Sequence, residues 1–223
     1  PTIGNVDDVL LFTSKRNGHV DTLNKNYNED LFYSRRVDGI WGFSEEFKKI
    51  NTPYNEGSAC LSKDGKQLFF ARCNSPDSYG SCDIFHAVLK PDSTWGYTKN
   101  LGPAVNSIGW DSQPSLSHSG DTLFFASDRI GGLGFSDIYY STKDKDGNWQ
   151  KALNLGPIIN TRGFEVSPFF HHKHNVLYFS SNGQPLSFGG FDILKSYKRT
   201  LTWDEPKNLG PLVNGPGSEY YFT

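Results

Sequence analysis

The chain has 223 residues, which is long enough to bury a substantial core, and 33 of them are aromatic (17 Phe, 11 Tyr and 5 Trp). Its 22 Lys and Arg residues nearly balance its 24 Asp and Glu residues, and no long run carries one sign of charge. This balance lacks the basic surface that a nucleic acid or an anionic membrane requires, so we expect neither as a partner. No apolar run approaches the roughly 20 residues that span a bilayer, so direct membrane insertion by this segment is not expected either.

A repeat runs through the whole sequence. The motif Asn-Leu-Gly-Pro begins at 100, 154 and 208, and an Asp followed by two apolar residues comes after each of four apolar segments, VLLFTS, QLFFAR, TLFFAS and VLYFSS. Four tryptophans are spaced 54 residues apart, namely Trp41, Trp95, Trp149 and Trp203. A fixed period of this kind indicates a repeat architecture with one supersecondary unit in each copy.

One copy, residues 111–156, shows what the unit is. Its sequence predicts four strands, SQPSLS, TLFFAS, DIYYST and WQKALNLG, joined by turns that contain Gly next to Asp. Because TLFFAS is apolar at consecutive positions, both of its faces are expected to be buried, as in small sheets that stack around an axis. We therefore predict an all-β protein, a β-propeller of four-stranded antiparallel blades. A β-sandwich is the alternative, but it would not need the repeat.

The repeat divides residues 1–223 into blades at about 1–50, 56–104, 111–158 and 165–212. The segment 217–223 matches the start of another copy, so we expect it to be the first strand of a further blade or a closing strap. We favour a further blade, and with it a parent propeller of five or six blades.

The segment 114–149 carries Pro-Ser-x-Ser-x-x-Gly-Asp-x-Leu-Phe-Phe-x-Ser-Asp-Arg, a Gly-rich loop, Asp-Ile-Tyr and a closing Trp. It resembles the WD40-like propeller repeat of the TolB type. The long blades, the recurrent Asn-Leu-Gly-Pro-x-x-Asn and the pair Cys73 and Cys82 are similar to the propellers of Bacteroidetes outer-membrane proteins of the OmpA family, which include a type IX secretion component. The resemblance implies a non-enzymatic periplasmic scaffold, tethered to the outer membrane through other domains, that binds further envelope proteins. It implies no cofactor.

Cys73 ends one predicted strand and Cys82 begins the next, so the two side chains are expected to face each other across an antiparallel pair. A disulfide would fit there and would indicate an oxidising compartment. A reduced pair in the cytosol is the alternative.

Acidic residues recur at two positions of the repeat, one directly before the third strand and one five residues after a recurring Asn. Two carboxylates at a defined separation could serve a glycosidase, but a catalytic group is asymmetric and these acids occur in every copy. We therefore expect them to hold loops by hydrogen bonds. They are Asp30, Asp83, Asp137 and Asp192 at the first position, and Glu56, Asp111, Glu165 and Glu219 at the second.

Three histidines, His171, His172 and His174, replace the Ser-Gly-Asp turn of the third copy and are expected on an exposed turn. No carboxylate or cysteine lies close in sequence, so we predict no metal site there.

The loops at one end of a propeller join the second strand to the third and the fourth strand to the next blade. Here the former are long and differ between copies, at 15–29, 72–82, 128–136 and 181–191, which favours recognition at this end. The candidate protein-binding residues are Tyr79, Trp110, Arg129, Phe135, Phe164 and Phe188. Two alternatives stay open: a glycan or peptidoglycan-fragment binder that stacks sugars on Trp110 and Phe164, and a glycosidase or sialidase-like enzyme.

Overall fold

The computed structural model describes residues 2–3, 8–15, 20 and 27–221. The regular elements of this part are strands, apart from one 3-10 turn at His172–His174. No helix among the described residues is long and apolar enough to cross a membrane.

The strands form four sheets, one for each copy of the repeat. Blade 1 contains β1 (Thr2–Ile3), β2 (Val9–Ser14), β3 (Asp30–Val37), β4 (Ile40–Trp41) and β5 (Glu45–Glu46). Blade 2 contains β6 (Asn55–Leu61), β7 (Gln67–Cys73), β8 (Cys82–Val88) and β9 (Lys99–Asn100). Blade 3 contains β10 (Asp111–Leu116), β11 (Thr122–Ser127), β12 (Asp137–Thr142) and β13 (Leu153–Asn154). Blade 4 contains β14 (Glu165–His171), β15 (Val176–Ser181), β16 (Asp192–Tyr197) and β17 (Lys207–Asn208).

Consecutive strands pair antiparallel in blades 2 to 4, in the order β10-β11-β12-β13 for blade 3. In blade 1 the order is β1-β2-β3-β4, and β5 pairs with β3 instead of β4. The prediction of a β-propeller with four-stranded antiparallel blades is therefore confirmed. Of the expected blade 1, residues 1, 4–7, 16–19 and 21–26 lie outside the described residues.

The fourth strand is shorter than the sequence predicts. The segment WQKALNLG forms a strand only at Leu153–Asn154, and Trp149 makes a single bridge to Lys143. Between them the chain turns toward blade 2, where the Ala152 N–H donates to the Ala104 carbonyl at 2.8 Å. An edge strand has no further neighbour to pair with, so contact with the adjacent blade outweighs continued pairing here.

Three hydrophobic cores lie between successive blades. The second strand of a blade contributes to two of them: Phe70 packs with Leu11 of blade 1, whereas Phe69 packs with Leu123 of blade 3. The prediction that both faces of this strand are buried is confirmed, because Phe69 and Phe70 are both 0% exposed. Three of the four repeated tryptophans, Trp95, Trp149 and Trp203, pack against these cores, whereas Trp41 is exposed. The Trp149 ring meets Phe69 of the preceding blade edge-on at 6.0 Å.

The motif Asn-Leu-Gly-Pro-x-x-Asn forms a hydrogen-bonded clamp in blades 2 to 4, and in blade 1 the equivalent Asn51 forms one without the rest of the motif. Asn160 accepts the N–H of Ile138 at 2.8 Å and donates to the carbonyl of the same residue at 3.0 Å, and it also donates to Asn154. Asn154 in turn accepts the N–H of Gly156, whose φ of +84° requires a residue without a Cβ. The other clamps join Asn51 to Leu31, Asn106 to Ile84 and Asn214 to Ile193.

The disulfide predicted between Cys73 and Cys82 is present. The two residues are directly opposite each other where β7 ends and β8 begins. The bond therefore closes the loop 74–81 at its base, and the chain-entropy model gives about 2 to 3 kcal/mol of stabilisation for so short a loop. Cys60, the remaining cysteine, is buried as a thiol, and burial raises its pKa to about 12.

The segment that follows blade 4 begins with the same backbone hydrogen bond that begins the inner strand of blade 4. The Glu219 N–H donates to the Phe191 carbonyl at 2.8 Å, as the Glu165 N–H does to the Ser136 carbonyl at 2.7 Å. Residues 217–221 pair with no described strand, and 222–223 lie outside the described residues, so both expectations for 217–223 remain predictions.

We expect the substitution Asn160→Ala to lower the free energy of unfolding by about 2 kcal/mol, because it leaves the buried N–H of Ile138 without its acceptor and removes one of the two hydrogen bonds to the Ile138 carbonyl. Chemical denaturation of the variant measures the loss. Asn148→Ala, in an exposed turn of the same blade, is the control and should change stability by about 0.5 kcal/mol or less. Equal effects of the two substitutions would show that the clamp is not a main source of stability.

Candidate functional site

The acid at the start of the third strand organises the long loop that precedes it. The Asp137 carboxylate accepts the N–H groups of Leu133 at 2.6 Å and Gly134 at 3.1 Å, together with the side chain of Asn154 at 2.8 Å. Asp83 binds Tyr79, Gly80 and Asn100 in the same way, and Asp192 binds Phe188 and Asn208. These carboxylates therefore fix the backbone beside Tyr79, Phe135 and Phe188. Asp30 is also fully buried.

Glycines let the loops of neighbouring blades pass in direct contact. A Cβ atom on Gly134 would overlap the carbonyl oxygen of Gly163, and the next N–H, that of Phe135, donates to this carbonyl at 2.8 Å. The pairs Gly80 with Gly109 and Gly189 with Gly217 repeat the crossing. Sequence reasoning missed these pairs, although each first glycine lies three residues before the repeated Asp and each second one lies two residues before the other acid.

A row of aromatic rings lies across these loops. The Phe135 ring stacks on Phe164 at 5.1 Å, Phe164 lies 6.2 Å from Phe191, and Phe191 lies 4.8 Å from Tyr220. Phe135 is 67% exposed and Phe164 is 38% exposed, although both sit on loops held by the glycine crossing. We call the four rings the aromatic row. Other exposed apolar side chains on the loops of the same end are Tyr79, Ile108, Ile130, Leu133, Leu186 and Phe188.

The structure places the six candidate residues in different surroundings. Tyr79, Phe135, Phe164 and Phe188 are exposed, as the sequence suggested. Trp110 is only half exposed, because its ring packs against the core between blades 3 and 4. Phe191 and Tyr220 were missed. Each is an aromatic residue where other copies have a smaller one, which is the signal that would have identified them.

Arg129 is not part of the exposed surface, so its assignment to the binding face is corrected. Its guanidinium donates to Asp111 at 2.5 Å, to the Val105 carbonyl at 2.7 Å and, through Nε, to Ser127 at 2.8 Å. It also lies 4.5 Å from the centre of the Tyr139 ring. The fully buried Asp111 carboxylate requires such a partner, and this requirement draws the arginine inward.

In blade 2 the buried acid is also paired with an arginine, but from a different position of the repeat. Arg72 lies two residues earlier in its copy than Arg129 does, and it binds the longer acid Glu56 at 2.7 Å and the Ile50 carbonyl at 3.0 Å. Arg72 and Arg129 therefore each link the buried acid of their own blade to a backbone carbonyl at the end of the preceding blade, that of Ile50 or Val105. The repeated acids Glu56, Asp111 and Glu165 are 0% exposed, so solvent does not reach them.

Glu165 of blade 4 has only uncharged donors among the described residues. It accepts the N–H and the hydroxyl of Thr161, both at 2.7 Å, and the Ser181 hydroxyl at 2.6 Å. Burial raises the pKa of this carboxyl, and the nearby Asp137 carboxylate raises it further, while the three donors oppose the shift. The pKa of Glu56 is also raised, because the effect of burial exceeds that of Thr52 and Arg72.

Three metal-ligating side chains do not come together anywhere in the described part of the chain. The turn histidines instead stack on one another near the propeller axis, with ring centres of His171 and His174 5.0 Å apart.

No family model matches this sequence, and no curated protein matches it either. Solved structures do match the fold. TolB from Acinetobacter baumannii gives a TM-score of 0.58 at 14% identity, covering 95% of this chain and 43% of its own. A putative TolB from Agrobacterium tumefaciens gives 0.58 at 14% identity, covering 97% of this chain and 67% of its own. An alpha-L-arabinofuranosidase from Lactobacillus brevis gives 0.57 at 14% identity, covering 92% and 73%.

The similarity is one of fold. At 14% identity it shows the propeller fold and does not choose between binding proteins and enzymes, since both occur among the matches. This chain spans less than half the length of the Acinetobacter protein.

The raised pKa of Glu165 predicts a pH-dependent effect of Glu165→Gln. Because the folded state holds the proton more tightly than the unfolded state, wild-type stability declines as the pH rises from the ordinary carboxyl value of 4.5 through the raised pKa. Glutamine does not titrate, so the free energy of unfolding of the variant relative to wild type should increase over that window. Denaturation at a series of pH values measures the difference. Exposed Glu205→Gln should show no such trend, and a difference for Glu165→Gln that is constant or falls with pH would contradict the assignment.

Proposed function

We propose that this protein is a non-catalytic interaction module of the bacterial periplasm whose binding surface is the aromatic row. The observation that carries the proposal is the exposure of stacked rings on loops with a fixed backbone. Monomeric soluble proteins seldom leave contiguous apolar surface in water unless something binds there, and aromatic side chains contribute most to interface energies.

The rigidity of the loops supports binding through this surface. The Phe135 backbone is held by Asp137 and by the crossing of Gly134 and Gly163, so the ring is presented without a large cost in conformational entropy. A partner would therefore meet a preformed surface.

The recurring acids argue against a glycosidase. A glycoside hydrolase needs two carboxyl groups that flank a bound sugar, whereas Glu56, Asp111 and Glu165 are fully buried and bonded to their own loops. The raised pKa values of Glu56 and Glu165 and the pairing of Asp111 with Arg129 have structural causes, so they give no reason to assign catalysis.

The compartment is proposed from the disulfide and the repeat. A disulfide persists in an oxidising environment such as the periplasm, and the repeat resembles that of TolB-type propellers. Within that compartment we propose an assembly at the outer membrane or peptidoglycan as the setting, with type IX secretion as the example that the sequence resemblance supplies.

Photocrosslinking in living cells tests the surface. With a photoreactive amino acid at Ile130 or Leu186, both highly exposed on the long-loop end, we expect discrete protein adducts. Leu201, 97% exposed on a turn at the opposite end, is the matched control and should give none. The double substitution Phe135→Ala and Phe164→Ala should abolish the adducts, whereas Phe43→Ala with Tyr97→Ala, two exposed rings elsewhere, should preserve them. Adducts of equal strength from all three positions, or retention of a glycan and no protein, would overturn the proposal.

Thiol trapping in cells tests the compartment. After acid quenching and denaturation, we expect one of the three cysteines, Cys60, to react with an alkylating reagent before reduction, and all three after it. Three reactive thiols without reduction would place the protein in a reducing compartment.

A further inference from the structure

A cavity of about 440 Å³ lies at the propeller axis, between the strands nearest the axis. Its walls combine apolar and polar side chains, and the polar residues that matter here are Thr13, Ser58, Gln113, Ser167 and Tyr221. A volume of this size is in the range of small-molecule sites. The aromatic row does not line it.

The wall contains a repeated backbone irregularity. Ser58, Gln113 and Ser167 occupy the same position in their copies, and each has a positive φ, of 51°, 56° and 52°, at a register shift of the inner strand. Such conformations are costly for residues other than glycine and concentrate at functional sites. The Ser167 N–H donates to Gln113 at 2.7 Å, while the Ser167 hydroxyl is buried with no partner among the described residues. Gln113 donates in turn to the Tyr221 hydroxyl at 3.2 Å.

At the end of the cavity formed by the tight turns, three basic side chains occupy one position of the repeat. Lys63, His118 and His172 each begin the turn between the first two strands of a blade, and all three line the cavity. The rings of His118 and His172 stack at 3.7 Å, which brings the turns of blades 3 and 4 together. The Nδ1 atoms of His118 and of His171 are buried without hydrogen-bond partners in the described part of the chain. We call Lys63, His118 and His172 the basic collar.

Among the described residues, no salt bridge joins Lys63, His118 or His172 to a carboxylate. Asp64 is engaged by the Ser62 hydroxyl at 2.6 Å and the Lys66 N–H at 3.1 Å of its own turn. Asp121 accepts the hydroxyls of Ser117 and Thr122, both at 2.9 Å.

The groups around His172 add to the positive potential. Partial burial lowers the pKa of His172, and the positive charges of His118, His171, Lys63 and Lys173 lower it further. A negative charge placed at the collar would relieve this repulsion and favour protonation of the imidazoles.

We propose that the axial cavity binds a small organic anion, with its carboxylate or phosphate group held by Lys63, His118 and His172 and its polar remainder against Ser58, Gln113 and Ser167. The lysine supplies charge at neutral pH, and the imidazoles supply N–H donors. A bound anion favours protonation of the imidazoles, and protonated imidazoles attract the anion. The affinity for the anion therefore increases as the pH falls through the range in which histidine titrates. The cavity shares no residue with the aromatic row, so either proposal can be wrong while the other holds.

Imidazole resonances observed by NMR test the proposal with two probes, inorganic phosphate and succinate. We expect either or both probes to raise the pKa of His118 and His172 and to bind more tightly at lower pH. Combined Lys63→Gln, His118→Asn and His172→Asn should weaken binding by about tenfold or more. Lys145→Gln with His174→Asn, both exposed and outside the cavity lining, should leave it nearly unchanged.

The two probes distinguish phosphate from carboxylate as the preferred group. The proposal is overturned if neither probe moves the histidine resonances at concentrations up to about 10 mM, or if the control pair weakens binding as much as the collar variant does. It is likewise overturned if zinc shifts these resonances and neither anion does, because the histidines would then be a metal site.

Discussion

A buried asparagine in each blade binds both the N–H and the carbonyl of one residue in the third strand, and the geometry of the blade follows from this pair of hydrogen bonds. Asn160 joins the end of blade 3 to Ile138, and the same arrangement recurs at Asn51, Asn106 and Asn214. Backbone groups buried without partners would cost about 1 to 3 kcal/mol each. The clamp satisfies them and also fixes where the chain leaves one blade, which fixes where the next inner strand begins.

The hydrophobic cores between the blades are the next constraint, and they help to explain why the loops are rigid. The second strands of blades 2 and 3 present aromatic rings to both neighbouring blades, so successive blades are held together by interdigitated side chains. Over the top of the cores, carboxylates such as Asp137 hold the loop backbones, and the crossing of Gly134 with Gly163 joins one blade to the next. Loops that would otherwise be variable connections become a continuous surface, and the aromatic row is the result.

The two ends of the molecule therefore offer different chemistry. The long-loop end is apolar and aromatic, which suits a protein surface, while the tight turns place lysine and histidine at one end of the axial cavity, which suits a small anion. The repeat produces both, because a position that recurs in every blade is placed around the axis. Where the copies agree, as at the clamp asparagines, the residue is structural. Where the copies carry different side chains, as at Lys63, His118 and His172, the position contributes different chemistry in each blade.

The sequence by itself determined the repeat, the antiparallel strands and the Cys73–Cys82 bond, because these depend on period, alternation and turn composition, which are local. It also indicated that Phe135 and Phe164 would be exposed. It misplaced Arg129, since an exposed arginine and one drawn inward by Asp111 look alike until the partner's position is known. It missed the glycine crossings, the link from Phe164 through Phe191 to Tyr220, and the basic collar. Only the tertiary structure decided these, because each joins residues from different blades, and their separation depends on how the sheets stack around the axis.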